Sequence, residues 1–477
     1  MDANKIQLAY SPESFREEGH KLIDLLAEHL ESTLSGSGQK VIRWTPPMEE
    51  HQYWLNYLED GDREELFGHV LDRIIHIHHP NYMGHQISPS LPITGLTSLM
   101  SSLLNNGMGI YEMGAAPTAM ERIVTDNICK TIGYQQTSRG ILTSGGTLAN
   151  LTALLSARQH FLGKKVNGSP KERQLAVMVS EEAHYCIERA VKIMGLGEKG
   201  IVKIPTDVNY RIRTDLLKKY HQDARQNGIE VFALVGCAPS TATGIYDDID
   251  RLQQFASELG IWFHIDAAHG GAAIFSSKYE SLLKGAENAN SITIDGHKMM
   301  MMPGITTALL FKDGQSSHNT FRQKADYLLE ESEDEDWYNL AKRTFECTKH
   351  MMSLHWYVSL KYYGPEIFDD FVTGLYDLAS DFANLIEEDP EFELAVRPMS
   401  NIVCFRYSGS STSNIAQNEL NKMIRQKVLE TGTYYIVQTR LGELHYLRTT
   451  IMNPFSTTDH FKGLLSHIKE LAKEISS

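Results

Sequence analysis

A lysine and an aspartate each close a short, strand-like apolar run in the second half of the sequence. Residues 291–295 are rich in β-formers, and the turn after them presents Lys298 ahead of a run of methionines. Residues 264–266 form a second such run, which ends in Asp266 and is followed by alanine, histidine and glycine. A lysine in such a turn is usually a surface residue. Asp266 and the small residues after it favour a chemical role for Lys298 instead.

The pair suits one cofactor, pyridoxal phosphate (PLP). A lysine amine can form a Schiff base with the cofactor aldehyde, and a carboxylate can keep the pyridine nitrogen protonated so that the ring accepts electrons. Removing a lysine from water also makes its amine easier to deprotonate, which Schiff-base formation requires. The two segments together therefore predict a PLP site built on Lys298 and Asp266.

A third segment can bind the phosphate of such a cofactor. Residues 140–150 read as a short strand, a turn of small residues and the start of a helix. Backbone N–H groups at a helix start, together with serine and threonine hydroxyls, bind anions. We therefore expect Gly145, Gly146 and Thr147 to hold the phosphate.

The composition of the 477-residue chain argues against several classes of partner. The formal net charge is −15 and there is no basic stripe, which argues against nucleic acid. No apolar run approaches the ~20 residues that a membrane-spanning helix needs. The five cysteines are scattered and odd in number, as in a cytoplasmic protein with reduced thiols, and the histidines of residues 76–85 match no zinc pattern. We therefore expect a cytoplasmic protein that acts on a small molecule and has no metal site.

The alternation of strand-like and helical segments predicts the fold class. Between residues 140 and 311, apolar runs of strand length alternate with helical patterns, which indicates an α/β fold with a mostly parallel sheet and helices on both faces. Ligand-binding residues then gather at the carboxyl ends of the strands. Lys298, Asp266, His184 and Ser240 all fall at such positions.

The chain is too long for one ordinary core, so a division into domains is expected. We expect an N-terminal helical segment at 1–92, a large PLP-binding α/β domain at 93–365 and a small α+β domain at 366–477. Residues 11–34 carry apolar positions at helical spacing and predict an amphipathic helix. Residues 338–363 predict a long helical region.

Five motifs occur in the order and spacing of one enzyme family. They are TSGGTLANLTALLSAR at 143–158, SEEAHY at 180–185, HIDAAHGG at 264–271, DGHKMM at 295–300 and LRTTIMNP at 447–454. With these motifs the chain resembles the group II PLP-dependent decarboxylases, which include glutamate, cysteine-sulfinate, aromatic-amino-acid and diaminobutyrate decarboxylases. The resemblance extends over residues 79–473 and implies the fold-type I architecture of PLP-dependent transferases such as aspartate aminotransferase.

The resemblance implies a role for each residue of the cofactor site. Lys298 is similar to the lysine that forms the Schiff base, and Asp266 is similar to the partner of the pyridine nitrogen. Ala268 and His184 are similar to the residues that lie on the two faces of the ring. The other cofactor-binding positions that it implies are Gly145, Gly146, Thr147, Ser240, Thr241, Asp295 and His297.

Two of these positions depart from the family pattern. Ser240 belongs to a Pro-Ser pair at residues 239–240 where Gly-Thr is commoner, and the other departure is next to Lys298. The family usually has Asn-Pro-His-Lys where this chain has Asp-Gly-His-Lys at residues 295–298. A carboxylate beside a phosphate is unfavourable because like charges repel. Asp295 must therefore be turned away from the phosphate or cap the turn.

The reaction that the resemblance implies is decarboxylation of an L-amino acid to its amine and carbon dioxide, through an imine between substrate and cofactor (an external aldimine). Tyr327 is similar to a mobile-loop tyrosine that protonates the resulting carbanion. Gln86 and Arg448 are similar to residues that bind a substrate carboxylate, which suits glutamate, aspartate or cysteine sulfinate. Residues 79–85 equally resemble the other branches, so an aromatic amino acid, diaminobutyrate or lysine stays open as the substrate.

Two other functions share this scaffold. One is carbon–carbon cleavage of the sphingosine-phosphate lyase type, a branch that usually carries a membrane anchor. The other is a binding or scaffold protein without activity, against which intact Lys298, Asp266 and His184 argue. The resemblance also implies a homodimer, in which residues 105–118 and the Tyr327 lid cross between the subunits.

Overall fold

The computed structural model describes residues 4–36, 40–163, 174–321, 337–409 and 413–477. The helices are α1 (Lys5–Ala9), α2 (Pro12–Ser35), α3 (Pro47–Asp60), α4 (Leu66–Arg73), α5 (Pro92–Leu104), α6 (Ala115–Ile132), α7 (Gly146–Gly163), α8 (Tyr185–Ile193), α9 (Leu217–Gln226), α10 (Ile249–Leu259), α11 (Gly296–Met299), α12 (Gln315–Phe321), α13 (Met352–Tyr363), α14 (Glu366–Glu388), α15 (Asn414–Thr431) and α16 (Thr458–Ser476). The strands are β1 (Arg139–Thr143), β2 (Gln174–Ser180), β3 (Ile201–Ile204), β4 (Ile229–Cys237), β5 (Trp262–Asp266), β6 (Ser291–Asp295), β7 (Thr307–Phe311), β8 (Phe392–Leu394), β9 (Ile402–Tyr407), β10 (Val437–Leu441) and β11 (Leu444–Thr450).

The larger sheet has seven strands in the order β1-β7-β6-β5-β4-β2-β3. Neighbours from β6 to β3 are parallel, whereas β7 runs antiparallel to both β1 and β6. Every residue of β5, β6 and β7 is buried, so both faces of the sheet are covered. The mostly parallel α/β architecture expected from the sequence is confirmed.

Strand direction brings the ends of five strands to one edge of this sheet. β2, β4, β5 and β6 are parallel, so their carboxyl ends lie side by side. β1 and β6 both run antiparallel to β7, so β1 also ends at this edge. The segments that follow these strands carry the candidate residues, beginning with the turn at Gly145 after β1 and Lys298 after β6.

Helix α7 is buried along most of its length and fixes the turn that precedes it. Leu151, Ala153 and Leu154 belong to an apolar cluster that also contains Val177 and Val179 of β2. Because both faces of α7 pack, its first residues have little freedom to move along the helix axis. The turn of small residues is therefore held rigidly at the edge of the sheet.

The chain forms two compact units. One comprises residues 86–380 and 396–403 and contains the strands of the larger sheet. The other comprises residues 1–85, 381–395 and 404–477, and the second sheet has the strand order β10-β11-β9-β8. The division into three segments expected from the sequence stays a prediction.

Two helical predictions have different outcomes. The amphipathic helix expected at 11–34 is present as α2, and the Ser11 side chain caps it by accepting a hydrogen bond from the backbone N–H of Ser14. The long helical region expected at 338–363 is wrong for its first part, because only α13 and a short 3₁₀ turn at Leu340–Lys342 are helical. None of the helices in the described ranges is long and apolar enough to cross a membrane.

A buried ion pair explains the shortened helix. The Nζ of Lys349 lies 2.5 Å from Oε1 of Glu121 and donates to the carbonyl of Leu142 at 2.6 Å. The same Glu121 oxygen accepts from the backbone N–H of Leu142. Both charged side chains are almost fully buried, so the tertiary pairing overrides the local helical preference before α13.

Three histidines are buried in their neutral form. Burial lowers the pKa values of His76, His264 and His355 to about 4. Burial acts in the opposite sense on a carboxyl group and raises the pKa of Asp247 to about 6. These groups link the stability of the fold to pH.

We expect the free energy of unfolding to fall as the pH is lowered from about 6.5 towards 4. In this window the unfolded chain binds protons at the three histidines that the folded chain does not, whereas Asp247 and Glu182, whose pKa values burial raises, favour the folded chain. The expected slope is about 1.4 kcal/mol per pH unit for each net proton. Urea unfolding at several pH values measures it, and His355→Gln should flatten the slope. A stability that stays level or rises across this window would contradict the assignment.

Candidate active site

A cavity of about 270 Å³ opens at the edge of the larger sheet where the strand ends meet. This volume is close to the lower end for small-molecule sites, about 300 Å³. Ten of the residues singled out from the sequence line it, namely Gly145, Gly146, Thr147, His184, Thr241, Asp266, Ala268, Asp295, His297 and Lys298. Residues from five separate segments are thus brought into one cavity.

The Lys298 amine forms an ion pair inside this cavity. Its Nζ lies 2.9 Å from Oδ2 of Asp295, and Nε2 of His297 lies 3.7 Å from the same oxygen. Thr307 donates its hydroxyl to the other oxygen of Asp295 at 2.5 Å. The Asp295 carboxylate is therefore oriented by β7 on one side and by Lys298 on the other.

The ion pair sets the protonation of both partners. Burial by itself would lower the pKa of Lys298, but the Asp295 carboxylate outweighs burial and raises that pKa above its ordinary value. Burial would raise the pKa of Asp295, but the charge of Lys298 and the hydrogen bond from Thr307 help to lower it overall. The expectation that burial makes Lys298 easier to deprotonate is wrong here, because a neighbouring acid holds the ammonium form.

Asp266 ends β5 and is nearly buried. One carboxylate oxygen accepts from the backbone N–H of Ala268 at 3.3 Å, and the other lies 3.8 Å from the Cys186 sulfur, which can donate to it. These two contacts orient the carboxylate, which can then face an aromatic ring nitrogen. The position is that expected from the sequence.

His184 precedes helix α8 and presents a neutral ring to the cavity. Its Nδ1 accepts a hydrogen bond from the backbone N–H of Cys186 at 3.3 Å, so Nδ1 carries no hydrogen. Burial lowers the pKa of His184; Asp266 opposes this shift and Lys298 adds to it. A flat, uncharged imidazole fixed in this way can stack on a planar ligand.

The turn before α7 is shaped by two glycines. Gly145 has φ = +108°, a backbone conformation that favours glycine. A Cβ on Gly146 would lie 3.0 Å from both Asp295 oxygens and 3.4 Å from the Ala268 Cβ, so a side chain there would crowd the cavity. Ser144 donates its hydroxyl to Oε1 of Glu346 at 2.6 Å. This small-residue turn at a helix start is a suitable cradle for a phosphate.

These residues fit PLP. A lysine amine, a nearly buried acid, a neutral ring and an anion cradle face one cavity, and PLP when bound would supply the electron-accepting ring that amino-acid chemistry requires. Lys298 is placed to hold the cofactor covalently, Asp266 to hold its ring nitrogen, and the turn at Gly145 and Gly146 to hold its phosphate.

Other predicted residues lie apart from this cavity or outside the described chain. Ser240 is buried and its hydroxyl is 2.7 Å from that of Thr243, whereas Thr241 lines the cavity. Gln86 and Arg448 are not among the lining residues. Tyr327 lies outside the described residues, so its role stays a prediction.

Seven lining residues were not singled out from the sequence; besides Ser144, Pro239, His269 and Ile305, they include the buried side chains Asn150, Cys186 and Cys237. Each of these last three lies within a few residues of a recognised motif, but none is a usual catalytic type in that position. Asn150 follows Gly146 by one helical turn, so helical periodicity would have placed it on the side of α7 that faces the site. Cys186 and Cys237 carry no such signal.

The ion pair predicts how Asp295→Asn changes cofactor attachment. The amide keeps the size of the side chain and removes the charge that raises the pKa of Lys298. We expect added PLP to attach covalently several-fold faster to this variant at neutral pH, measured as the rise of visible absorbance after mixing with apoenzyme. Lys298→Ala is the control that should show no such rise. An unchanged or slower rate in Asp295→Asn would refute the role given to this carboxylate.

Comparison with known proteins places this site in a family. The family model described as the pyridoxal-dependent decarboxylase conserved domain matches residues 60–408. An aromatic-L-amino-acid decarboxylase of Bacillus atrophaeus is 27% identical over 98% of each chain. An aspartate 1-decarboxylase of Aliivibrio fischeri is 29% identical over 86% of this chain and 82% of its own.

Solved structures agree. The glutamate decarboxylase domain of a diaminobutyrate-pyruvate transaminase and L-2,4-diaminobutyrate decarboxylase from Vibrio parahaemolyticus is 26% identical, with a TM-score of 0.81 over 95% of this chain and 96% of that one. Oryza sativa TDC, solved with PLP and tryptamine, shares the fold at 20% identity, with a TM-score of 0.88 over 98% and 99% of the two chains. With a family model that covers most of its length and a cavity that fits the cofactor, this chain belongs to the pyridoxal-dependent decarboxylases and is a PLP-dependent carboxy-lyase.

Proposed function

We propose that the enzyme decarboxylates an acidic L-amino acid, namely aspartate, glutamate or cysteine sulfinate, to its amine and carbon dioxide. The observation that carries this proposal is the state of Arg448 on β11. Its side chain is buried, and its Nε and Nη2 have no hydrogen-bond partner within the described ranges. Burial lowers the pKa of Arg448, which is the signature of a cation removed from water without a compensating acid.

A buried, unpaired guanidinium is costly, and an anion relieves that cost. Breaking a buried ion pair by removing one partner typically costs 3–5 kcal/mol, about the gain available when a carboxylate arrives. Guanidinium and carboxylate groups match in a bidentate geometry, so a carboxylate or sulfinate is the natural partner. An aromatic or cationic substrate offers Arg448 only its α-carboxylate, the group that leaves as carbon dioxide, whereas an acidic substrate also offers an anionic side chain.

The surroundings of Arg448 are positive. Burial lowers the pKa of His85, and the charges of Arg448 and Arg425 lower it further. The Nε of Arg425 is also buried without a hydrogen-bond partner among the described residues. Gln86 follows His85 directly in the chain, and its amide Nε2 is likewise buried and unpaired. Each of these unpaired donors supports an anionic ligand.

The names of the relatives indicate different substrates. Aspartate and acidic amino acids appear in the names of relatives from Aliivibrio fischeri, Metarhizium robertsii and mouse, while others act on aromatic amino acids or diaminobutyrate. All of them are decarboxylases, so the reaction does not depend on the choice. The unpaired arginines are what favour the acidic group.

In this proposal each site residue has one task. Lys298 holds the cofactor and gives way to the substrate amine, while Asp266 keeps a proton on the ring nitrogen. Ala268 and His184 line the same cavity and would hold the ring between them. A proton must reach the substrate Cα after carbon dioxide leaves, and Tyr327 is the proposed donor.

Amine formation from a panel of L-amino acids with added PLP tests the substrate. We expect turnover with aspartate, glutamate or cysteine sulfinate, and Arg448→Gln should lower kcat/KM for that substrate about 100-fold through the loss of about 3 kcal/mol of charge pairing. Arg440→Gln is the matched control, because that arginine is exposed on β10 and already pairs with Glu443. Arg448→Gln should not lower the melting temperature, since it removes an unpaired buried charge.

The panel also decides between the alternatives. A peak with tyrosine, tryptophan, diaminobutyrate or lysine would keep the reaction and reject the acidic substrate. An Arg448→Gln enzyme with unchanged kcat/KM for an acidic substrate would reject Arg448 as the binding group.

We propose that two copies of the chain form a homodimer through α5. Leu96, Leu99, Met100 and Leu103 are spaced along one face of this helix, and each is 45–62% exposed. Soluble monomers rarely leave a continuous apolar stripe of this kind in water. A second copy of the same face would bury it, as twofold symmetry allows.

Light scattering during gel filtration tests the dimer. We expect the wild type to elute at twice the chain mass and Leu99→Glu/Leu103→Glu to shift towards the monomer. Val208→Glu is the control, because Val208 is an isolated apolar residue that is 90% exposed. A monomeric wild type, or a dimer that the double variant leaves intact, would rule out this interface.

A cytoplasmic location is also proposed. The five cysteines are free thiols; Cys347 is exposed and the other four are buried. Free thiols in this number suit a reducing compartment.

A further inference from the structure

A row of hydrogen bonds runs through the core from Trp262, the first residue of β5, towards Asp266, its last residue. It begins at Trp262, whose indole N–H donates to the hydroxyl oxygen of Ser291 at 2.9 Å. That hydroxyl lies 2.8 Å from Nδ1 of His264. All three side chains are buried, so no solvent is needed to complete these bonds.

The row continues from His264 to the carboxylate. Nε2 of His264 lies 2.7 Å from the amide oxygen of Asn150, and the amide Nδ2 of Asn150 donates to the sulfur of Cys186 at 3.4 Å. The same sulfur lies 3.8 Å from Oδ2 of Asp266. Asn150 and Cys186 are each only 1% exposed.

The chemistry of the groups gives the row one direction. An amide oxygen can only accept, so Nε2 of His264 carries the hydrogen. Its Nδ1 lies 2.8 Å from the hydroxyl oxygen of Ser291, which can donate to it, and 3.2 Å from the backbone carbonyl oxygen of the same residue. Burial lowers the pKa of His264 to about 4, which keeps the imidazole neutral as this arrangement requires. Burial, followed by the charge of Asp266, raises the pKa of the Cys186 thiol, so its hydrogen stays available for the carboxylate. Every donor therefore points towards Asp266.

The row also joins the two ends of the cofactor cavity. Asn150 lies on α7, one turn after Gly146 of the proposed phosphate cradle. Asp266 ends β5, where the ring nitrogen is expected. A displacement of α7 along its axis would break the bonds of Asn150 to His264 and Cys186. The row thus fixes the distance between the anion cradle and the acid.

We propose that Asn150 and Cys186 are positioning residues, which hold the Asp266 carboxylate in place through a hydrogen bond and at a fixed distance from the phosphate turn. This inference rests on the role proposed above for Asp266 and is independent of the substrate. Asn150 orients the thiol, and the thiol donates to the carboxylate. Neither residue needs to touch the substrate.

Cofactor affinity tests the row without any turnover. In Cys186→Ala the carboxylate loses a donor, and we expect the dissociation constant of PLP to rise about tenfold, the effect of one hydrogen bond to a charged group. Cys186→Ser keeps a donor and an acceptor and should stay within about threefold of the wild type. Cys129→Ala is the matched control, because Cys129 is a buried thiol of the same unit away from the cavity. Equal affinity in Cys186→Ala and Cys129→Ala would overturn the proposal.

Infrared spectra of the apoenzyme test the bond itself. The difference between wild type and Cys186→Ser isolates the S–H stretch of Cys186, which we expect at the lowered frequency of a thiol bonded to a carboxylate. Asp266→Asn and Asn150→Leu should each shift this band. A band that neither variant moves would show that the thiol does not connect the two residues. Failure of the acidic-substrate proposal would leave both the affinities and the band unchanged, so the two tests are distinguishable.

Discussion

The ion pair between Lys298 and Asp295 is the interaction on which the active site depends. A lysine in a cavity needs a counter-charge. Asp295, the last residue of β6, supplies it to Lys298, which lies three residues later in the chain. The hydroxyl of Thr307 on β7 holds the carboxylate, and the glycine at 146 leaves room for it. The carboxylate that keeps Lys298 charged thus also stands against the proposed phosphate cradle. The approach of a phosphate and the release of the lysine from its counter-ion are therefore coupled events.

The residues of the site come from two parts of the fold, the edge of the larger sheet and the buried helix α7. Asp266 ends β5, and Lys298 follows the neighbouring parallel strand β6. The anion cradle lies at the start of α7. Because α7 is packed along its length, the distance between cradle and acid is set by the core and not by loops. The groups proposed to recognise the substrate have a different character. Within the described residues, Nε and Nη2 of Arg448 and Nε of Arg425 have no hydrogen-bond partner, whereas Lys298 and Asp266 are already paired.

Much of this could be read from the sequence, for a physical reason. Lys298, Asp266 and the turn at Gly145 are residue types that the chemistry demands, and each follows a strand-like run, so parallel pairing brings them together. What could not be read depends on contacts distant in sequence. The shortened α13 reflects the pairing of Lys349 with Glu121, 228 residues away. The raised pKa of Lys298 reflects its geometry with Asp295, and Cys186 matters only because β5 lies beside it.

The position of β7 has a consequence for how the protein is made. β7 lies between β1 and β6, so the phosphate turn that follows β1 and the lysine that follows β6 are brought to the same edge by a strand that comes after both in the chain. A nascent chain that has not yet emerged past Phe311 has all the cofactor-binding motifs but lacks the strand that joins them. We therefore expect cofactor capture during synthesis on the ribosome to follow the addition of β7 to the sheet.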